Sequence, residues 1–104
     1  MLLSTTDKIA GKEIAETLGL VRGNTIRARN IGHDVLAGLR NIVGGEIKDY
    51  TEMLSDAREE AISRMTSEAN NLGADGVVEI RFTTSETMGG AAEILAYGTA
   101  VKFK

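Results

Sequence analysis

Cysteine, proline and tryptophan are absent from this sequence of 104 residues, and only two Phe and two Tyr are present. The lack of cysteine excludes disulfides, thiolate nucleophiles and thiolate metal ligands, and it suits a reducing compartment. Because large aromatic side chains are scarce, the core is built from small aliphatic residues that each bury little area. A core of this kind gains stability when further apolar surface is buried between subunits.

Clustered positive charge and long hydrophobic runs are missing as well. The formal net charge is -3 at pH 7, and the 12 Lys and Arg residues are scattered along the chain. A nucleic-acid-binding face needs such residues clustered. The apolar start, Met1–Leu3, is too short for a signal peptide or a membrane span. We therefore expect a soluble, cytoplasmic protein with no nucleic-acid or membrane partner.

The residues that are present indicate one globular domain over residues 1–104. Hydrophobic residues make up 42% and charged residues 26% of the chain, a balance typical of folded proteins. A chain of this length holds one hydrophobic core. No internal repeat, linker or charge run divides the sequence, so we expect no domain boundary.

A long helix is the clearest predicted element. Asp49 and Glu52 have the spacing of an N-terminal capping box, and Gly73 is placed to end the helix. A shorter helix is predicted before it, from a cap at Asp34 to the glycine pair Gly44–Gly45. The predicted buried stripe of the long helix is formed by Leu54, Ala57, Ala61, Met65, Ala69 and Leu72.

Strands are predicted on either side of the helices. The residues from Asp75 onward alternate, which places Val78, Ile80 and Phe82 on one side of a strand and Val77 on the other. The segment Glu93–Lys104 also alternates, with bulky residues on one side and small residues on the other. Two further strand regions are predicted, a short one over residues 1–6 and a bent or bulged strand pair over 14–26.

These elements predict an α+β fold in which one long helix packs on one face of a small antiparallel sheet. Both sides of the last strand have the composition of buried surfaces, but one helix can cover only one face of the sheet. A symmetric homo-oligomer would bury the second face. The alternative is that the first two strand regions fold over that face within one chain.

Several segments together resemble the YbjQ-like family over nearly the whole chain. The resemblance implies a dodecin-like α+β subunit assembled into a ring, with a homopentamer as the expected form. The family has no established function and carries a heavy-metal-binding label. The segments that carry the resemblance are Ser4-Thr5-Thr6, Ile42-Val43-Gly44-Gly45 with Tyr50, Ala57-Arg58-Glu59, Leu72-Gly73-Ala74-Asp75-Gly76-Val77-Val78 and Gly98-Thr99-Ala100-Val101.

The heavy-metal label has little support in the residues themselves. Soft metals prefer thiolate, thioether and imidazole ligands, and the only histidine is His33. A metal site within one subunit is therefore not expected. A ring would bring several copies of His33, or of a carboxylate such as Glu46, around its axis, and this is the one metal site that the sequence allows. Asp56, Glu59 and Glu60 are interpreted as a solvated helix face, because Arg58 and Arg64 neutralise them.

The pattern closest to a ligand site is the glycine turn before the long helix. Backbone N–H groups of Gly44 and Gly45, near a helix N-terminus, could hold an anion, with Glu46 and Tyr50 beside them. No Lys-Ser or Lys-Thr completes a phosphate loop, and Glu46 would repel a phosphate. A helix stop with close packing is the alternative interpretation of the glycine pair.

No catalytic residue is predicted, since a serine or threonine nucleophile needs a base within reach and His33 is the only histidine available. The favoured function is a non-enzymatic binding or structural module with pockets for a small ligand or ion between subunits. The alternative is an enzyme whose site forms across the interface from Asp34, Glu46, Asp49 and Tyr50. No cofactor can be named.

Overall fold

The computed structural model of the protein describes residues 1–28, 42–43, 46–86 and 91–104. The predicted long helix and the predicted strand regions are present, with different boundaries in places. The elements are β1 (Leu2–Leu3), β2 (Ile14–Arg27), β3 (Ile42–Val43), β4 (Glu46–Ile47), α1 (Lys48–Asn71), β5 (Gly76–Glu86) and β6 (Ala92–Phe103).

Four of the strands form one sheet in the order β1-β5-β6-β2. The β5–β6 and β6–β2 pairs are antiparallel, whereas β1 runs parallel to β5 through Leu2 and Leu3. The predicted α+β class is therefore confirmed, and the sheet is mixed because the first residues of the chain run along the outer edge of β5. Gly11, in the turn between β1 and β2, has a φ of 77°.

The predicted short helix before Gly44 is wrong at its last two positions. Ile42 and Val43 form β3, which pairs in antiparallel register with Ile47 and Glu46 of β4. Two β-branched residues in succession fit a strand better than the last turn of a helix. The rest of this predicted helix, residues 34–41, lies outside the described residues.

The helix α1 ends as predicted but begins earlier. The N–H of Gly73 donates to the carbonyl of Asn70 at 3.0 Å and that of Ala74 to the carbonyl of Ala69 at 3.1 Å. Gly73 has a φ of 78°, and this pair of bonds is the Schellman arrangement that ends many helices. At the other end α1 begins at Lys48, so Asp49 lies inside the first turn and not at the predicted cap.

The buried stripe of α1 is shorter than predicted. Ala57, Ala61, Met65 and Ala69 are fully buried, whereas Leu72 is 46% exposed. Leu72 lies beyond the last helical residue, in the turn that ends α1. Its side chain therefore does not continue the stripe.

One predicted alternation is broken by a β-bulge in β5. The register against β6 shifts between Val78 and Arg81, and Glu79 within that shift has a φ of 54°. Because a bulge inserts one extra residue, the side-chain parity changes across it. Val77 and Ile80 therefore share the core that packs under α1. The prediction that Val78, Ile80 and Phe82 lie on one side, with Val77 on the other, is wrong for this reason.

The strand β2 is one long strand, not the predicted strand pair. It pairs with β6 along its whole length, and register shifts occur at Ile14/Glu16 and Thr17/Gly19. The predicted bulges are therefore present, while the predicted break is not. Gly23 allows β2 to approach α1 closely, since a Cβ there would lie 2.3 Å from both the carbonyl oxygen of Ala61 and the amide nitrogen of Met65.

The core lies between α1 and one face of the sheet, which we call the helix face. Its residues are mostly small, as the sequence indicates. They are Val21, Ala57, Ala61, Met65, Ala69, Val77, Ile80, Ile94, Ala96 and Ala100. Within the described residues, no helix has the length and apolar character needed to cross a membrane.

Candidate functional site

The predicted ligand site at the glycine turn is only partly within the described residues. Gly44, Gly45 and the metal candidate His33 lie outside them, as does Asp34. Glu46 lies in β4 opposite Val43, and Tyr50 is in the first turn of α1. The backbone thus places Glu46 and Tyr50 close together in the chain at a strand–helix junction. Their roles as ligand residues stay predictions.

No metal site is formed by the side chains that the structure describes. Among these residues, no group of three or more His, Cys, Asp or Glu side chains is arranged to hold an ion. The carboxylate of Glu60 accepts hydrogen bonds from Arg27 of β2 and Arg64 of α1. Asp56 and Glu59 are exposed. The predicted neutralisation by arginine is therefore present at Glu60, through Arg27 and Arg64, whereas Asp56 and Glu59 make no ion pair to the described residues.

The ion pairs of Glu60 join α1 to β2 along one flank of the helix. The hydrogen bond from Arg27 and the charges of both arginines lower the pKa of Glu60 below its usual value. Arg64 also donates to the backbone carbonyl of Asn24 at 2.5 Å. The lowered pKa of Glu60 therefore follows from a structural contact between two elements and does not mark a catalytic acid or base.

The face of the sheet opposite α1, which we call the far face, carries a row of three polar side chains across three strands. Arg22 of β2 and Arg81 of β5 are both register partners of Tyr97 of β6. Arg81 donates to the backbone carbonyls of Thr5 and Ile80, both at 2.8 Å. Arg22 makes no hydrogen bond or ion pair to the part of the chain that the structure describes. We call Arg22, Tyr97 and Arg81 the basic row.

Large apolar side chains flank the basic row. Leu20 and Ile26, two residues before Arg22 and four residues after it on the same strand, are each 62% exposed. Leu95 and Tyr97 of β6 are half-buried on the same face. A depression of about 360 Å³ lies beside the row and is lined by Arg22, Asn24, Glu93 and Leu95. The far face is therefore a mixed surface of aliphatic and aromatic groups with charges of both signs, in which Glu93 accompanies Arg22 and Arg81.

A second uncovered surface is a groove beside α1, where the helix does not reach over β5. Phe82 is 43% exposed although it pairs with the buried Ala96 of the helix face. Leu3 of β1 is 42% exposed on the other side of the groove. The groove has a volume of about 190 Å³ and is lined by Leu3, Ser4, Thr5, Ile62, Ile80 and Phe82.

Sequence reasoning did not identify the basic row or the groove. The alternation in β2, with Leu20, Arg22 and Asn24 between Val21, Gly23 and Thr25, is a signal that could have found the far face. Gly19 and Gly23 obscure this alternation, because glycines within a strand pattern indicate a bend or a break, and a strand pair is predicted there instead. For the groove there was no local signal, since the bulge at Glu79 and the return of β1 bring its residues together.

Fold and surfaces together define a two-layer α+β subunit with one sheet face packed under a helix and the other face partly open. The chain belongs to the YbjQ-like family, whose sequence model, described as "Putative heavy-metal-binding", matches residues 1–104. A UPF0145 protein of Archaeoglobus fulgidus is 62% identical over 104 residues, which is 100% of this chain and 96% of the relative. A UPF0145 protein of Halorubrum lacusprofundi is 62% identical over 104 residues and is covered completely.

The fold is also similar to a solved structure. A protein of unknown function from the DUF74 family of Pediococcus pentosaceus superposes with a TM-score of 0.71, covering 100% of this chain and 98% of that chain. The two sequences are 19% identical, so this likeness shows the fold alone. The predicted family membership is therefore confirmed, as is the predicted fold class.

Proposed function

We propose that this protein is a ring-forming cytoplasmic homo-oligomer that acts as a non-enzymatic binding or structural module. The family resemblance makes the homopentamer the expected ring. One observation carries the proposal: the far face presents Leu20 and Ile26 to solvent beside half-buried Leu95 and Tyr97. Apolar groups that recur along one sheet face are stabilised when a second surface removes them from water.

The dimensions of the subunit support burial between copies. It exposes 6602 Å² at a mass of 11.1 kDa, whereas a compact monomer of that mass exposes about 5,650 Å². Its radius of gyration is 17.0 Å, against about 13 Å for a compact chain of this length.

We place the pockets for a small ligand or ion between subunits because neither depression is complete in one chain. The groove beside α1 has about 190 Å³, whereas pockets for small organic ligands typically have about 300–1,000 Å³. The depression on the far face is larger, but it is open on one side, and the described residues that line it are Arg22, Asn24, Glu93 and Leu95. A neighbouring subunit would close either one. The lowered pKa of Glu60 arises outside both depressions, which favours binding over catalysis.

Native mass spectrometry of the purified protein tests this proposal directly, because it reports stoichiometry and any retained ligand together. We expect one closed oligomer, with five subunits as the leading species, that releases a small molecule or ion on activation. A monomer at every accessible concentration would overturn the proposal. If the oligomer retains a metal, and His33→Ala loses that metal while the ring stays intact, the bound ligand is a metal ion. The family's heavy-metal-binding description would then apply to this protein.

A further inference from the structure

We infer that the contact between copies is heterologous: the outer face of α1 on one copy docks on the far face of the sheet on the next copy. This inference rests on the proposed ring and names the two surfaces that build it. The first is an acidic stripe on α1, made of Glu52, Asp56 and Glu59. The second is the basic row with its flanking Leu20 and Ile26.

The acidic stripe lies on the side of α1 that faces away from its own sheet. Glu52, Asp56 and Glu59 are four and three residues apart, which places them on one line along a helix. All three are exposed, whereas Ala57 and Ala61 on the opposite side are fully buried. Ser63 continues the line and is also exposed. Each subunit therefore presents a line of negative charge on its outermost layer.

The basic row provides the complementary charge on the other layer. The guanidinium of Arg22 has no partner within the described residues. Arg81 donates both of its hydrogen bonds to Thr5 and Ile80 from Nη1. A guanidinium can donate two parallel hydrogen bonds to a carboxylate. Complementary charges at the rim of an interface steer association and fix its register. Leu20 and Ile26 would supply the apolar area on either side of the row.

The positions of the two surfaces determine the symmetry of the contact. The acidic stripe and the basic row lie on opposite sides of a two-layer subunit, so one contact leaves the second surface of each copy free for another. Such head-to-tail contacts generate rings when the rotation closes. A two-fold contact centred on the basic row would place the two copies of Arg22 and Arg81 opposite each other, and like charges repel. The geometry therefore favours a cyclic assembly over a face-to-face dimer.

Charge reversal with rescue tests the pairing, with sedimentation velocity at low ionic strength as the readout. Arg22→Glu should raise the protein concentration needed for half-assembly about tenfold or more, the change expected for a loss of about 1.4 kcal/mol. Asp56→Lys combined with Glu59→Lys should weaken assembly to a similar extent from the other surface. Combining all three substitutions should restore assembly to within about threefold of the unmodified protein.

The control is Lys12→Glu, which makes the same charge change at an exposed turn outside both surfaces, and it should assemble like the unmodified protein. Circular dichroism and thermal melting of each variant report whether the subunit is folded. If Arg22→Glu assembles normally, or if the reversed pair fails to recover assembly, the inference is wrong while the ring can stand. If the unmodified protein is monomeric, the proposed function itself is wrong. Assembly that appears only after adding an anionic ligand or nucleic acid would assign the basic row to that ligand instead.

Discussion

The two faces of the sheet bury their residues in different ways. On the helix face the residues of β6 are small, such as Ala96 and Ala100, and Gly23 lets β2 lie against the backbone of α1. Directly under α1, packing is complete within one chain. On the far face the side chains are larger, and Leu20 and Ile26 remain mostly exposed. Val78 and Val101 of the far face are buried within the chain, so the open part of that face lies around Arg22. The difference shows that close backbone approach fills the surface under α1, while the open part of the far face keeps the exposed side chains of an interface.

The largest expected effect comes from filling the close approach on the helix face. In Gly23→Ala the new Cβ would lie 2.3 Å from backbone atoms of Ala61 and Met65, and backbone cannot move aside as a side chain can. We expect the free energy of unfolding to fall by about 3 kcal/mol or more. Urea denaturation measures the loss. Asn24→Ala, at the neighbouring exposed position, should change the free energy by less than about 0.5 kcal/mol, and equal effects at the two sites would contradict the packing described.

Truncating a core side chain should have the next largest effect. Met65 is the largest fully buried side chain, and Met65→Ala would leave a cavity that the small neighbouring alanines cannot fill. We expect a loss of about 2–3 kcal/mol in the free energy of unfolding. The matched control is Ile26→Ala, which removes a similar volume from the far face. Measured on the dissociated subunit, Ile26→Ala should cost much less, and a comparable cost would mean that the far face is packed within one chain.

The far face should matter to assembly more than to folding. Leu20→Ser removes apolar area that we place in the interface, and we expect the association to weaken about tenfold, equivalent to 1.4 kcal/mol. Sedimentation equilibrium over a dilution series measures the shift. Leu72→Ser makes the same change at an exposed leucine in the turn after α1, outside both surfaces, and serves as the control. If Leu20→Ser lowers the thermal stability of the isolated subunit and leaves association unchanged, Leu20 belongs to the fold of one chain and not to the interface.

A smaller effect is expected at the bulge of β5. Glu79 has a φ of 54°, a conformation that costs a non-glycine residue about 1–2 kcal/mol. Glycine removes that cost but loses about 0.5–1 kcal/mol through the flexibility of the unfolded chain. We therefore expect Glu79→Gly to raise the free energy of unfolding by about 0.5 kcal/mol, while Glu79→Val lowers it by about 1 kcal/mol. Chemical denaturation distinguishes the two, and a stabilising Glu79→Val would show that the bulge carries no strain.

The smallest effect concerns the flank that joins α1 to β2. Because the folded-state pKa of Glu60 is lowered, its contribution to stability is fully present above the usual carboxyl pKa of about 4.3. It is lost as the pH falls through the lower, folded-state value. The difference in melting temperature between the unmodified protein and Glu60→Gln should therefore be greatest near neutral pH and shrink below about pH 4. Glu68→Gln removes a carboxylate of the same helix that makes no ion pair to the described residues, and it is the matched control. A constant difference for Glu60→Gln would mean that the ion pairs do not stabilise the fold.

Much of the fold could be predicted from the sequence because local patterns determine it. The three-to-four residue spacing of Ala57, Ala61 and Met65 specifies the buried side of α1, and Gly73 specifies its end. The alternation of β6 predicts that its two sides differ in size. These features depend on neighbouring residues in the chain, which a single sequence displays directly.

The errors occurred where a tertiary contact changes a local rule. The bulge at Glu79 reverses the side-chain parity of β5, and its N–H is held by the carbonyl of Thr6 at 3.0 Å, a contact 73 positions distant in the chain. The parallel pairing of β1 likewise depends on the return of the first residues to β5. The basic row joins Arg22, Arg81 and Tyr97 from three strands, so no single segment contains it. The predicted site at Gly44 and Gly45 stays a prediction.

The far face can be probed most directly by thiol labelling, because the chain contains no cysteine and one introduced thiol reports on one position. In the assembled protein we predict that Leu20→Cys reacts about tenfold or more slowly than Lys12→Cys, which lies on an exposed turn. The difference should disappear when Arg22→Glu is added to dissociate the copies. Equal labelling rates at the two positions in the assembled protein would contradict the claim that a second copy covers this face.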